Sequence, residues 1–361
     1  MALSGLEELD SVEILVIIDN ELDPISPCPS TEAQYSGGIR EIAFRNPAFE
    51  PAAGGGPIRE LKMEEICCSA HGLSLMITGV IGEQRHTILF DAGPEGRAFE
   101  LNAKRLRADL GAIETIQLSH WHRDHSGGIE TALELIGEAR AKEHERKRST
   151  PVTVDLHPNR PELRGVHAPG LERVALSPDP TFEEIEKAGG QVIKDDHPHV
   201  VLDGMFAVSG EIPRLTEYER GMKFGARLSK GEWVEDELLM DERLLMCKVK
   251  DKGVVVFTGC SHAGVVNASR HAVELSGGAP LYAVMGGYHL ADAECTKIQS
   301  TVADLKALDA QFLLTGHCTG WRAKFEVERQ MPGRLVPSFV GSKFVFSRTQ
   351  VEDEANSCTV A

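Results

Sequence analysis

The chain has 361 residues, 42% of them hydrophobic, with 55 acidic against 38 basic side chains and a formal charge of −17. That length suits one large domain or two ordinary ones, and the charge argues against nucleic acid or an anionic membrane surface, both of which need a basic footprint. No run reaches the ~18 apolar residues of a membrane span. The opening MALSGLEELDS has neither the basic nor the apolar region of a secretory signal, so a cytoplasmic protein with a small-molecule substrate is expected. The eight cysteines, Cys28, Cys67, Cys68, Cys247, Cys260, Cys295, Cys318 and Cys358, form no paired spacing and are expected as reduced thiols.

In chain order, VEILVIIDN (12–20) is rich in Val and Ile and predicts a buried strand ending at Asp19-Asn20. Loop composition follows, with PISPCPS and PAAGGGP. LSLMITGV and HTILFDAG predict two strands joined by a turn. PEGRAFELNAKRLRADLG predicts a helix closing on Gly111, and IETIQL a strand. GGIETALELIGEARAKEHERKR predicts a helix with Ile129, Leu133 and Ile136 inward and a basic, solvated end. PVTVDLH is a further strand. Residues 158–235 turn irregular and read as an insertion or cap within a single domain spanning 1–346. ERLLMCKVKDKGVVVFTGCSH predicts two strands around DKG, PLYAVMGGYHL a strand, CTKIQSTVADLKAL a helix and AQFLLTGHCTG a strand. Residues 347–361 predict a disordered acidic tail. Its CTVA ending puts Cys358 at a prenylation-type position, but the acidic residues before it oppose membrane anchoring, so an unmodified tail is expected.

The stretch SHWHRDHSGG, residues 119–128, places three histidines and an aspartate within six positions. A packed interior tolerates that only if something satisfies every ring nitrogen and carboxylate oxygen. At the end of a strand, alternate side chains share a face, so His120, His122 and Asp124 converge while His125 turns away. Imidazoles with a carboxylate suit Zn²⁺, Fe or Mn. The spacing serves two metals, His120 and His122 on one, Asp124 and His125 on the other. Gly127-Gly128 allows a tight turn into the next helix.

Four residues do not complete two coordination shells. Three further apolar strands run into a small residue and then a metal-capable side chain. VVVFTGCSHAG offers Cys260 and His262, LYAVMGGYHL offers His289, and FLLTGHCTG offers His317 and Cys318. His262 and His317 are the expected ligands. Cys260 stands as a ligand or as support behind one, and His289 as a ligand, a support or a substrate contact.

The order ILFDAG, SHWHRDHSGG, TGCSH, TGHCTG resembles the metallo-β-lactamase superfamily. AHGLSLMI, SGEIPR, GCSHAGVVN, GGYHL and GHCTG resemble a narrower branch, the archaeal 7,8-dihydropterin-6-methyl-4-(β-D-ribofuranosyl)aminobenzene 5′-phosphate synthase type. The resemblance covers most of residues 12–346. It implies an α/β fold, an αββα sandwich with one or two metals at the edge between its sheets. It also implies His120 and His122 at the first metal, Asp124, His125 and His317 at the second, and Asp91 as the carboxylate that orients the site. Many superfamily members bridge the metals with an aspartate after a strand-end glycine. This chain has Gly259-Cys260 there, and DERLLMCKVKDKG lacks the histidine expected before it, leaving His262 as the substitute.

The chemistry expected is hydrolysis by a metal-bound hydroxide acting on an ester, thioester, lactone, amide or phosphoester of a small anionic metabolite. Asp124 would hold or accept the proton of the attacking water. Arg214 and Glu211 of SGEIPR, with His157, His289 and His71, are candidate substrate contacts, Arg214 through forked bonds to a phosphate or carboxylate. One or two zinc ions are the expected cofactor, with iron or manganese as alternatives. Three other readings stay open: a synthase or transferase acting on a pterin-like or phosphoribosyl substrate, an iron-dependent redox enzyme, and a non-catalytic metal-containing binding protein.

Overall fold

The apolar runs form strands where their pattern predicts them. The computed structural model describes residues 2–30, 33–142 and 150–349, so Cys358 and most of the acidic tail lie outside the described residues. One sheet has eight strands in the order Gly190–Lys194, Val152–Leu156, Ile113–Gln117, Gln84–Phe90, Ser74–Ile81, Ser11–Ile18, Lys343–Ser347, Gln34–Ser36. The other runs His199–Val201, Phe206–Val208, Leu245–Val249, Gly253–Thr258, Leu281–Gly286, Phe312–Thr315, with Glu8–Leu9 also paired to Leu245–Val249.

The strand period of two sorts each strand between two cores. Val255 and Phe257 meet Ile88, Phe90, Ile14 and Phe344 between the sheets. Val254 and Val256 face the other way, onto Val265, Ala272, Ile298, Val302, Ala323 and Val327 of the helices Val265–Leu275, Cys295–Ala307 and Trp321–Gln330. Leu89, Ile116 and Val154 pack likewise under Phe99, Ala103, Ile129, Leu133 and Ile136 of the helices Gly96–Leu106 and Ile129–Lys142. The architecture is therefore the expected helix–sheet–sheet–helix sandwich. The first of those helices stops earlier than Gly111, because Arg107 takes a left-handed conformation at φ 54°.

The insertion expected over 158–235 is smaller than the sequence suggests. Gly190–Lys194 extends the first sheet in parallel with Val152–Leu156, and His199–Val201 and Phe206–Val208 belong to the second. Phe206 and Val208 are buried between the sheets. These strands are only three to five residues long, and their Pro, Gly and charged neighbours mask them. What remains separate is a small sheet of Glu232–Glu235, Gly225–Ser229, Leu163–Val166 and Val174–Ala175.

Gln84–Phe90, Ile113–Gln117 and Val152–Leu156 run parallel, as do Gly253–Thr258, Leu281–Gly286 and Phe312–Thr315. Loops beyond the carboxyl ends of such strands are the usual place for a site. Here those loops carry Asp91, His120–His125, His157, Cys260–His262, His289 and His317.

Candidate metal centre

At these loops ligand-type atoms form two groups, each within 4.8 Å: His120, Cys260 and His262, and Asp124, His125, Cys260 and His317. His122 joins the first, its Nδ1 lying 3.0 Å from His120 Nε2 and its ring 5.0 Å from that of His262. The Cys260 sulfur belongs to both groups and lies 3.2 Å from His125 Nε2 and 3.1 Å from His317 Nε2. Asp124 Oδ2 stands 3.4 Å from His317 Nε2 and 3.6 Å from His125 Nε2. His125 does not turn away from Asp124. The two share the short helix Arg123–Ser126, which replaces strand alternation after His122.

Hydrogen bonds behind the site fix which ring nitrogens face inward. Asp91 Oδ2 accepts from His125 Nδ1 at 2.6 Å, leaving Nε2 free to face the sulfur. Asp91 also accepts the Ser119 hydroxyl at 2.8 Å, so Ser119 Oγ accepts from His120 Nδ1 at 2.9 Å, and His120 Nε2 likewise faces inward. Asn20 Oδ1 accepts from His317 Nδ1 at 3.0 Å, which turns His317 Nε2 inward. One carboxylate thus sets two imidazoles, the usual division between a ligand and the partner that orients it.

Charge follows from surroundings. Burial holds His120 and His262 neutral, well below the ordinary histidine range, and takes His122 to about 3. Burial opposes charge on Asp124 too, but His125 and His317 outweigh it and keep the carboxyl ionised. Burial pushes the Cys260 thiol far up, so only a nearby cation makes it a thiolate here. Both ring nitrogens of His262 and Nε2 of His122 are buried without a hydrogen-bond partner. An unmet buried polar atom costs about 1–3 kcal/mol. Inward lone pairs, an orphaned imidazole and a thiol shared by two clusters fit divalent metal. His120, His122 and His262 would hold one ion, Asp124, His125 and His317 a second, and Cys260 lies between them.

The sequence model of the metallo-β-lactamase superfamily matches residues 78–210. A 7,8-dihydropterin-6-methyl-4-(β-D-ribofuranosyl)-aminobenzene-5′-phosphate synthase from Methanocaldococcus jannaschii is 30% identical over 290 residues, 74% of this chain and 90% of the relative. The chain belongs to the metallo-β-lactamase superfamily. An uncharacterised protein of the same archaeon is 27% identical over 253 residues, 70% of this chain and 85% of that one. The crystal structure of Tm1679, a metal-dependent hydrolase of the β-lactamase superfamily, superposes with a TM-score of 0.63 at 20% identity, covering 95% of this chain and all of that one.

Within this superfamily fold, three consecutive charged residues brace the centre, and nothing in the sequence reading assigned them. Asp241 accepts from Trp121 N at 2.8 Å and takes a two-pronged bond from buried Arg164, at 2.7 and 3.2 Å. Arg164 also donates to Trp121 O at 2.9 Å, so the small sheet grips the HxHxDH loop between its first two histidines. Glu242 accepts from the amides of His262 and Ala263 at 2.7 and 2.6 Å. Arg243 donates through its amide to Ser119 O and through its guanidinium to Asp155. Asp19 was also missed. Its carboxylate accepts from His317 N and Ser338 Oγ, both at 2.8 Å, while Asn20 orients the His317 ring. The signal was present as DER ahead of an apolar strand and as DN at the end of one. Buried charge at a strand end has to serve a partner.

Gly127 and Gly128 are needed for a reason other than turn geometry. A Cβ on Gly127 would sit 1.8 Å from Pro94 O, and one on Gly128 2.1 Å from Ala92 O. The helix carrying Asp124 and His125 therefore lies directly on the Asp91 loop.

The remaining candidates divide. His289 sits beside the first group, its ring 4.5 Å from that of His262, outside both ligand groups. His71 lies at the rim, with Nε2 3.5 Å from Asp124 Oδ2 and Nδ1 accepting from Asn20 Nδ2 at 2.9 Å. His157 is a correction: its Nδ1 accepts from Asn159 N and its carbonyl from the Trp121 indole, so it stands behind the metal loop. Arg214 is another: its guanidinium bonds the carbonyls of Ile212, Leu238 and Leu239, which occupies the fork expected to bind substrate. Glu211 is exposed beside it.

Proposed function

We propose that this chain is a metal-dependent hydrolase of a small metabolite, loaded with one or two zinc ions. The observation that carries the reading is the pair of ligand groups sharing the Cys260 sulfur, with Nε2 of His125 and of His317 turned inward by Asp91 and Asn20. Imidazole, carboxylate and thiol donors together favour zinc over harder ions. A divalent metal in this cradle supplies Lewis acidity to a substrate oxygen and a hydrolytic nucleophile at neutral pH. The chain's own residues do the rest. Asp91 holds His120 and His125 in one tautomer, Asp241 and Glu242 fix the two ligand loops, and ionised Asp124 accepts the proton of the attacking water. With its guanidinium engaged by backbone carbonyls, Arg214 does not supply the expected anion fork. The class reduces to hydrolysable esters, thioesters, lactones and phosphoesters.

The test is metal analysis of protein purified without added metal, followed by assay against one substrate of each class. Zinc with turnover that is lost in Asp124→Ala is the expected result. Iron with no hydrolysis of any class would overturn the reading in favour of redox chemistry. The 30% identity to a synthase over 74% of the chain favours a second reading, group transfer on a pterin-like or phosphoribosyl substrate. Hydrolysis absent with zinc present would point there.

A further inference from the structure

Asn20 lies between two histidines and gives them opposite tasks. Its Oδ1 accepts from the Gly72 amide at 3.0 Å and from His317 Nδ1 at 3.0 Å. A backbone amide can only donate, so Gly72 settles which end of the Asn20 side chain is the oxygen. The other end, Nδ2, therefore donates to His71 Nδ1 at 2.9 Å. An imidazole nitrogen that accepts carries no proton, and a proton placed there would set N–H against N–H. The ring proton of His71 is therefore on Nε2. One amide thus turns His317 Nε2 into the metal cradle and leaves His71 Nε2 as an N–H. In that form His71 donates and does not ligate.

The backbone around His71 is clamped to the same site. Ala70 N donates to Asp19 O at 3.1 Å and Leu73 N to Asp124 O at 3.3 Å. A Cβ on Gly72 would lie 2.3 Å from Asp124 O, so this turn rests directly on the residue that carries the ligand carboxylate. The His71 ring centroid is 5.1 Å from that of His317, and Nε2 is 3.5 Å from Asp124 Oδ2. That exceeds the roughly 2.7–3.2 Å of an N–H···O bond, so Asp124 does not occupy the proton. The His71 side chain is 70% exposed, against 16% for Asp124 and 0% for His125 and His317. A molecule approaching the second ligand group from solvent meets His71 before it meets those three.

We propose that His71 donates its Nε2–H to an oxygen of the substrate's reacting group, the one on which negative charge grows during hydrolysis. The role rests on the metal-dependent reading above and adds a hydrogen-bond donor to it. A neutral imidazole suits the task, because the bond strengthens as charge builds and no proton has to leave the ring. Esters, thioesters, lactones and phosphoesters all place that charge on oxygen. Asn20 is then a positioning residue for a ligand and a donor at once, through the two ends of one side chain.

The test begins with the metal-free protein. Long-range proton–nitrogen spectra, with His71 assigned by its absence from His71→Gln, should show a neutral ring protonated at Nε2. Protonation at Nδ1, or a mixture of the two forms, would overturn the donor. After zinc loading, His71→Leu and His71→Gln should match the wild type in zinc content and far-ultraviolet spectrum. Loss of a zinc equivalent in His71→Leu would make the residue a ligand and overturn the proposal. Calorimetric titration with inorganic phosphate, whose oxygens stand in for those of the reacting group, should show binding about tenfold weaker in His71→Leu. His71→Gln should restore most of it, because its amide keeps an N–H at that reach. For a nitrophenyl ester or phosphoester that the wild type turns over, His71→Leu should lower kcat at least about tenfold with a smaller change in KM. Equal phosphate binding in wild type and His71→Leu, or no recovery in His71→Gln, would overturn the donor. A wild type that holds no zinc, or turns over no substrate, would sink the metal-dependent reading, whereas the donor is judged on the tautomer and the phosphate ratio.

Discussion

The two halves of the metal centre solve the problem of buried polar groups in opposite ways. Around His120, His122 and His262 the rings are neutral, and three of their nitrogens have no hydrogen-bond partner. Around Asp124, His125 and His317 the groups pair with each other: Asp124 and Asp91 outweigh burial to hold His125 above the ordinary histidine range, and Cys318 together with Asp124 does the same for His317. The first half depends on metal to satisfy it, whereas the second closes on itself through ion pairs. Burial without a counter-charge prepares a cation site by leaving lone pairs unmet, and burial with a counter-charge prepares one by keeping the ligands in place.

The shared sulfur gives the hardest test of that contrast. Cys260→Ala is expected to lower metal content in both halves and to cut turnover more than about a hundredfold. His262→Ala should reduce only the first, leaving close to one metal equivalent by elemental analysis. Full metal content in Cys260→Ala would show that the sulfur merely packs between the halves.

Next in size is the brace common to both. Arg164→Met removes the partner of Asp241 and leaves a buried carboxylate, a change that costs about 3–5 kcal/mol when a buried pair is broken. The denaturant midpoint should fall accordingly. Arg164→Met with Asp241→Asn should recover part of the loss, and no recovery would mean that the pair is not the source.

A milder change loosens one imidazole in each half. Asp91→Asn keeps the shape but weakens its hold on His125 and on Ser119 behind His120. Losing such a partner typically lowers metal affinity about 10–100-fold. Competition with a coloured chelator measures it, and an unchanged affinity would contradict the orienting role.

The smallest effect concerns pH. The hydrogen bond from His199 to Asp155, 2.6 Å long, raises the His199 pKa above 6.5, and Asp155 also receives Arg243. Because the folded value lies above the unfolded one, the contribution is complete below about pH 6.5 and disappears as pH rises through the folded value. It should amount to no more than about 1 kcal/mol. The urea midpoint of wild type relative to His199→Gln should therefore be higher at pH 6 and converge by pH 9. A constant difference would rule out the charged pair.

What the sequence showed and what it hid follow from range. The strands Ser11–Ile18, Ser74–Ile81 and Gly253–Thr258 are legible because apolar period and run length are local. The HxHxDH stretch is legible because four metal-capable residues fall within six. Cys260, His262 and His317 could be suspected singly, each at the end of an apolar strand, but their convergence rests on two sheets packing face to face. Asp19, Asp241 and Glu242 stand in the sequence as charges at strand ends, but what they and Arg164 support was illegible, because the partner of a buried charge can lie more than a hundred residues away, as Trp121 does from Asp241. Arg214 misled for the converse reason. A cationic side chain looks free in sequence, and only the fold shows the carbonyls that hold it.

The Asp19 carboxylate, which joins His317 to Ser338, also sets a schedule for biosynthesis. Residues 120–125 leave the ribosome nearly 200 residues before His317, an interval of roughly 10–40 s at ~5–20 residues per second. Early in that interval the nascent chain carries a histidine-rich stretch with three of its seven candidate donors, Cys260, His262 and His317, still missing. Any cation captured then is held by too few groups to select among metals. The full donor set forms only when the last strands dock and the late histidine arrives, so selection among ions is expected at the completed cradle.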